Sequence, residues 1–270
     1  MVSIDGALLD FKQLERLAAG DSVLHRLDPR AKVLATLAFI VSVVSYGRYE
    51  LSALIPFFIF PAVLIGAADL PAGYLLKKIA LVCPFALLVG IGNPVFDRAV
   101  LMQLGPLEIS GGWISLASIV VRAALTVSAA LILVALTGFP AICRALERLG
   151  MPAPFAVQLL FLYRYIFVLT EEGTRASSAR ELRSCGKKGR GMASYASLLG
   201  HLLLRTWQRA ERIHMAMLAR GFSGVFHSRT KWHFGPAELF YLVGWSALFL
   251  ALRLCNGSEL VGALVTGVFR

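Results

Sequence analysis

Five long apolar runs decide what this chain can fold into. They cover residues 31–46, 51–68, 79–92, 113–136 and 237–254. The hydrocarbon core of a bilayer is about 30 Å thick, so a crossing helix needs about 17–25 mostly apolar residues. Lys32 lies at the edge of the first run, Arg122 interrupts the fourth and Arg253 closes the fifth. The third contains Pro84 and extends back past Lys78 and Lys77 to residues 74–76. A run at 261–269 is too short to span. Tyr46 and Trp113 sit at run edges, where amphipathic aromatics favour the membrane interface. Composition supports the membrane reading: 57% of residues are hydrophobic and 16% charged, against about 45–50% and about 25% in soluble domains. Such apolarity excludes a disordered chain, and four cysteines in 270 residues exclude a disulfide scaffold. Asp5 and Asp10 stand where a secretory leader would carry base, so the first run is expected to lead insertion.

The charge is as unevenly placed as the apolar residues. The net charge is +11, and residues 137–231 hold 15 Lys and Arg against five Glu, a net +10. Lys and Arg near span ends favour the cytoplasmic side. Lys12, Arg16, Arg26, Arg30 and Lys32 precede or open the first run, Lys77 and Lys78 lie between the second and third, and Arg144, Arg148, Arg229 and Lys231 flank the basic segment. Arg48 and Arg98 are the only bases in the opposite loops. Five spans with the N-terminus inside therefore place the basic segment inside as well. Residues 155–170 are apolar but carry Gln158 and Arg164. An Arg at the bilayer centre costs at least about 2.5–3.5 kcal/mol, so this stretch reads as an interfacial or bundle-buried helix, with a sixth span as the alternative.

Pro152, Pro154, Gly186, Gly189 and Gly191 punctuate the basic segment. Helices are expected at about 140–149, 155–185 and 193–220. The last is amphipathic: Leu203, Trp207, Ala210, Ile213 or His214, and Met217 recur every three or four residues, and Arg205, Gln208, Arg209 and Arg212 form a polar stripe. Both long helices end on an Arg followed within three residues by Gly, in Leu182-Arg183-Ser184-Cys185-Gly186 and Ala219-Arg220-Gly221-Phe222. A helix-dipole complement with a left-handed cap accounts for one such end. Two of them on a basic module suggest a docking surface, and Arg is the preferred partner for carboxylates.

Recognisable catalytic chemistry is lacking. No Gly-x-x-x-x-Gly-Lys-Ser/Thr occurs, and the stretch from Gly186 to Gly191 has the wrong spacing for a phosphate loop. His25, His201, His214, His227 and His233 do not form a ligand set, and Cys83, Cys143, Cys185 and Cys255 are scattered. The one acid in the five runs is Glu238, at the very start of the fifth, so the spans read as scaffold rather than conduction path. Arg122 has three candidate roles: pairing with a partner subunit, pairing with a backbone carbonyl, or snorkelling to the interface. A membrane enzyme acting on lipid-linked substrates would need clustered acids or His. The best pair, Glu171 and Glu172, diverges by about 100° around a helix. An electrostatic anchor on anionic lipid or nucleic acid would use the +10 segment but leaves the paired helix ends unexplained.

Four ordered pieces carry a family resemblance. They are Leu24-His25-Arg26-Leu27-Asp28-Pro29-Arg30-Ala31-Lys32; Gly92-Asn93-Pro94-Val95-Phe96-Asp97-Arg98 with Ile109-Ser110-Gly111-Gly112; Tyr163-Arg164-Tyr165-Ile166 with Glu171-Glu172; and Ala219-Arg220-Gly221-Phe222. The chain resembles the transmembrane T component of energy-coupling-factor (ECF) importers, cobalt-type CbiQ. The resemblance implies an all-α integral membrane protein with about five transmembrane helices, or six, and long cytoplasmic coupling helices between the last two spans. The expected division is a membrane bundle over 1–136, a coupling module over 137–235 and a final span with tail over 236–270. It further implies a non-catalytic subunit of the bacterial cytoplasmic membrane, most simply for cobalt, with nickel or a vitamin as alternatives. Its partners would be ABC-type ATPase subunits, a separate substrate-binding membrane subunit and a small accessory membrane subunit, with no nucleic acid. ATP and Mg would be bound by the ATPase, leaving no cofactor or metal in this chain. The docking residues implied are Ala219, Arg220 and Gly221 at the second motif. At the degenerate first motif they are Arg183 or, one turn earlier, Arg180, with Arg183 favoured by the Gly186 that follows.

Overall fold

The computed structural model describes residues 13–47, 49–96, 100–104, 107–183, 192–224 and 234–254. The elements in chain order are α1 (Val23–Arg26), α2 (Pro29–Val44), a 3₁₀ segment (Ser52–Phe58) running into α3 (Ile59–Ala67), α4 (Ala72–Gly90), α5 (Asn93–Phe96), β1 (Val100–Leu104), β2 (Leu107–Ser110), α6 (Gly111–Thr137), α7 (Phe139–Arg148), α8 (Ala153–Arg183), α9 (Met192–Ala219) and α10 (Pro236–Leu254). They belong to two compact units, one within Leu14–Gly138 and Trp232–Arg270, the other centred on Phe139–Lys231.

The first unit is organised by aromatic side chains. Phe39 of α2 stacks on Phe60 at 4.5 Å between ring centroids and meets Phe249 of α10 edge-on at 5.4 Å. Phe57 joins from the 3₁₀ segment, and Trp245 closes on Phe60 at 4.8 Å. The last apolar run of the chain thus returns to the first. The return is pinned by hydrogen bonds from the Tyr46 hydroxyl to the Leu252 carbonyl (3.2 Å) and from Arg253 to the Ser45 carbonyl (3.1 Å), with the guanidinium over the Tyr46 ring. Tyr46, expected at an interface, is instead buried in this core. Trp113 is exposed, as an interface residue would be.

The outer surface of this unit is apolar too. Leu81, Phe85 and Leu88 of α4 and Phe240 of α10 are 70% exposed or more. A dry aromatic interior under an apolar exterior has no rationale in water, where patches of that kind are rare, and suits lipid. Four helices, α4, α6, α8 and α10, are long and apolar enough to cross a bilayer. The first two runs form shorter pieces, the 16-residue α2 and the apolar stretch Ser52–Ala67. The protein is an all-α, multi-pass integral membrane protein. The 31-residue α8 contains the ambiguous 155–170 stretch as one uninterrupted helix with Arg164 exposed. One element has no counterpart in the sequence reading: β1 and β2 pair antiparallel as a short hairpin with an irregularity between Val100 and Met102.

The first resemblance piece proves to be a structural clasp. Asp28 caps α2 by accepting the Arg30 amide at 2.9 Å, and Pro29 occupies the first turn, where its missing N–H costs nothing. Lys32 is 3% exposed and donates to the carbonyls of His25 (3.1 Å) and Leu136 (3.3 Å). Its charge therefore sits at the last turn of α6, where the helix dipole is negative. His25 donates from Nε2 to the Leu17 carbonyl (3.0 Å), leaving Nδ1 to accept from the Ser22 hydroxyl (2.7 Å).

The second piece is a close-packed corner. A Cβ on Gly112 would come within 2.5 Å of the Pro94 Cα, so only glycine fits. Beside it the Asn93 amide donates to the Ser115 hydroxyl at 3.1 Å. Asp97 and Arg98 of this piece lie outside the described residues.

In the other unit, α7 packs on α8, with Phe139 stacked on Tyr163 at 5.0 Å. Gly150, at φ +115°, turns the chain out of α7 while Met151 N–H reaches back to the Leu146 carbonyl at 3.1 Å. Helices α8 and α9 lie side by side.

Candidate functional site: the ends of the two long helices

Helix α9 ends in a complete C-terminal cap. Gly221 adopts φ +78°, Phe222 N–H bonds the Met217 carbonyl at 3.0 Å, and Gly221 N–H bonds the Leu218 carbonyl at 3.0 Å. These are the paired bonds of a Schellman motif, which needs a left-handed residue where Gly221 stands. Arg220 is thereby fixed at the residue where the helix stops, with its side chain exposed. Phe222 turns back to line a groove together with Met217, the apolar contact that accompanies such caps.

The matching end of α8 reaches Arg183 in regular helix, with Arg183 exposed and Arg180, one turn earlier, half-buried. Ser184, Cys185 and Gly186, which were expected to finish and break this helix, lie outside the described residues, as do the basic turn to Gly191, His227, Arg229, Lys231, His233 and Cys255. Among the described residues no hydrogen bond or ion pair involves the side chain of Arg183 or Arg220.

The two helices are held together further along. Glu172 of α8, half-buried, accepts from Arg209 at 3.1 Å and lies 3.4 Å from Arg205, both on α9. Glu171 is exposed, so the two acids serve different surroundings and do not form a catalytic pair. Arg205 and Arg209, assigned to a polar stripe by their spacing, are one turn apart and grip one carboxylate. That spacing, opposite an acid, was the available signal. The groove between α8 and α9, about 550 Å³, is lined by Val157, Phe161, Tyr165, Ile213 and Met217 among others. Leu203 and Trp207, expected on the same apolar stripe, are 70% and 73% exposed. The rest of that stripe, Ala210, Ile213, His214 and Met217, does line the groove, beside an ion pair in which Glu172 is sheltered and both Arg side chains are largely exposed.

Arg122 bonds the Gly47 carbonyl, a backbone partner of the kind named among its three candidate roles. Among the described residues no cluster of three His, Cys, Asp or Glu side chains could hold a metal ion.

Comparison with known proteins follows the order of the motifs. Residues 20–232 match the family described as CbiQ, cobalt transport protein. The chain is 31% identical over 220 residues to the energy-coupling factor transporter transmembrane protein EcfT of Heliobacterium modesticaldum, covering 76% of this chain and 81% of that one. It is 29% identical over 264 residues to the EcfT protein of Acidaminococcus fermentans, covering 86% and 92%. With the EcfT protein of Thermosediminibacter oceani it shares 29% over 223 residues, 76% and 82% of the two chains.

Proposed function

Because the chain belongs to the CbiQ family, we propose that it is the coupling subunit of an ATP-driven ECF-type importer. In this reading it is not an enzyme. It passes movements of ABC-type ATPase subunits, which bind ATP and Mg, to a separate substrate-binding membrane subunit, and a small accessory membrane subunit completes the assembly. Cobalt is the cargo favoured by the family description. The N-terminus and the basic ends of α8 and α9 face the cytoplasm of a bacterial cell in this reading, the side that the Lys and Arg bias of the loops favours.

The observation that carries this reading is the capped end of α9, with Arg183 exposed at the last described residue of α8. Arg220 is held by a Schellman cap at a fixed point, exposed and unpaired among the described residues, flanked by Ala219 and Gly221. Arg183 is its exposed counterpart, and Arg180, half-buried, is the weaker candidate. An Arg set on a rigid helix end loses little freedom when it docks with a carboxylate. The long helices behind the two ends would convert motion of the ATPases into motion at the membrane.

The test is charge reversal of both ends, Arg183→Glu with Arg220→Glu, followed by co-purification with the ATPase and metal uptake by cells expressing the full set. Loss of both is expected. Undiminished association and uptake would remove the docking assignment.

A further inference from the structure

A second polar feature lies far in sequence from the docking ends, in the membrane unit. Ser115, Ser118, Ile119 and Arg122 recur along one face of α6 at one-turn spacings and, with Asn93 of α5, enclose a cavity of about 210 Å³. In a helix otherwise free of ionisable residues this polar face needs a reason. The cavity holds room for several waters, each occupying about 30 Å³.

Its polar atoms are unbalanced. Ser118 is 1% exposed, and its hydroxyl has no partner among the described residues. That is unusual, since a helical Ser commonly bonds the carbonyl three or four residues back. Arg122 spends one donor on the Gly47 carbonyl, while its Nε is buried and has no partner among the described residues. Asn93 uses one amide hydrogen on Ser115 and keeps the other. Among the described residues no carboxylate lines the space. Glu50 attracts Arg122 electrostatically but is exposed and accepts from the Gly47 amide at 3.2 Å.

We propose that this cavity binds a phosphate-type oxyanion, supplied by the headgroup of an anionic phospholipid or by free phosphate. A cation would meet the guanidinium. An apolar ligand would leave the hydroxyl and Nε unpaired. Water would pair them but leave the guanidinium without a counter-charge. A tetrahedral oxyanion satisfies all of these at once, and the planar fork of Arg suits it. Basic pockets between membrane helices hold lipid headgroups in this way.

The test uses the purified full chain in detergent. Native mass spectrometry measures retention of phosphatidylglycerol against a neutral glycolipid without phosphate, and thermal melting measures protection by inorganic phosphate. Phosphatidylglycerol is expected to be retained about tenfold better than the glycolipid, and Arg122→Gln to abolish that preference. Ser118→Ala, which breaks no existing bond, is expected to weaken it several-fold and keeps the test alive if Arg122→Gln fails to fold. Ser42→Ala, whose hydroxyl bonds Ala38 within α2, should change nothing. Protection by phosphate with no lipid preference assigns the same site to the free ion. Absence of both effects in the wild-type chain, or an unchanged preference in Ser118→Ala and Arg122→Gln, overturns the proposal.

Discussion

The two units solve the same problem, holding long helices together, by opposite means. In the membrane unit, Phe39, Phe57, Phe60 and Phe249 are each 2% exposed or less and touch one another across three segments of the chain. In the unit containing α8 and α9, only Ala156 among 31 residues of α8 is buried, and α9 has no described side chain that is buried. There the grip is one half-buried Glu between two Arg. Interlocked rings have a single low-energy arrangement, so the first unit is built to keep its shape. A pair of helices joined by an ion pair and an open groove has few contacts to resist displacement, which is where low local stability is found. The difference is between an interlocked unit and a loosely gripped one.

The largest effect should come from breaking the rigid side. Phe39→Ala removes the ring that contacts Phe57, Phe60 and Phe249 and is expected to cost about 3–5 kcal/mol, read as a lowered unfolding midpoint in detergent. Comparable loss from truncating the exposed Leu203 of α9 would abolish the contrast. A smaller and different effect is expected from Glu172→Gln. It leaves Arg205 and Arg209 without their carboxylate and should cost about 1–3 kcal/mol. The change should be confined to hydrogen exchange in α8 and α9, with the midpoint of the membrane unit unmoved. Spread of faster exchange into α2 or α6 would show that the two regions are not mechanically distinct.

The sequence made the membrane architecture plain because a bilayer demands long runs without charge, and such runs have no other use. It made the ends of α9 plain because Gly after Arg at the close of an amphipathic stretch has one good backbone solution, seen in Gly221. What it hid were contacts between distant segments. Nothing local in Phe39 or Phe249 says that they meet, and the return of α10 onto α2 is a matter of tertiary packing. Tyr46 looked like an interface residue because its neighbours in sequence are apolar and its partner, Leu252, is 206 residues away. Arg209 was placed on a polar stripe with no partner in view for the same reason: spacing assigns a face of a helix but does not show that Glu172 stands opposite it on another helix. The β1–β2 hairpin fell between two apolar runs and was read as loop, its strands being too short to declare a pattern. The Leu24–Lys32 piece matched a family before its purpose was visible, and its purpose is capping and clasping.

The smallest effect sharpens the comparison through that clasp. His25 is held neutral: burial lowers its pKa below 6.5, the nearby charge of Lys32 adds to this, and together they outweigh its hydrogen bond to Leu17, which favours the charged ring. A histidine whose folded pKa is depressed binds fewer protons folded than unfolded. Its contribution to stability is then fully present above 6.5 and is lost as the pH falls through the folded value. The membrane unit should accordingly loosen around residues 14–32 on mild acidification. Exchange in α8 and α9, which take no part in this clasp, should hardly respond. Hydrogen exchange at pH 7.5 and 5.5, compared between wild type and His25→Asn, isolates the effect, because the variant keeps a polar group at the site but cannot take up a proton. If acid accelerates exchange at residues 14–32 equally in both proteins, the clasp is not the pH-sensitive point and the difference between the units lies in packing alone.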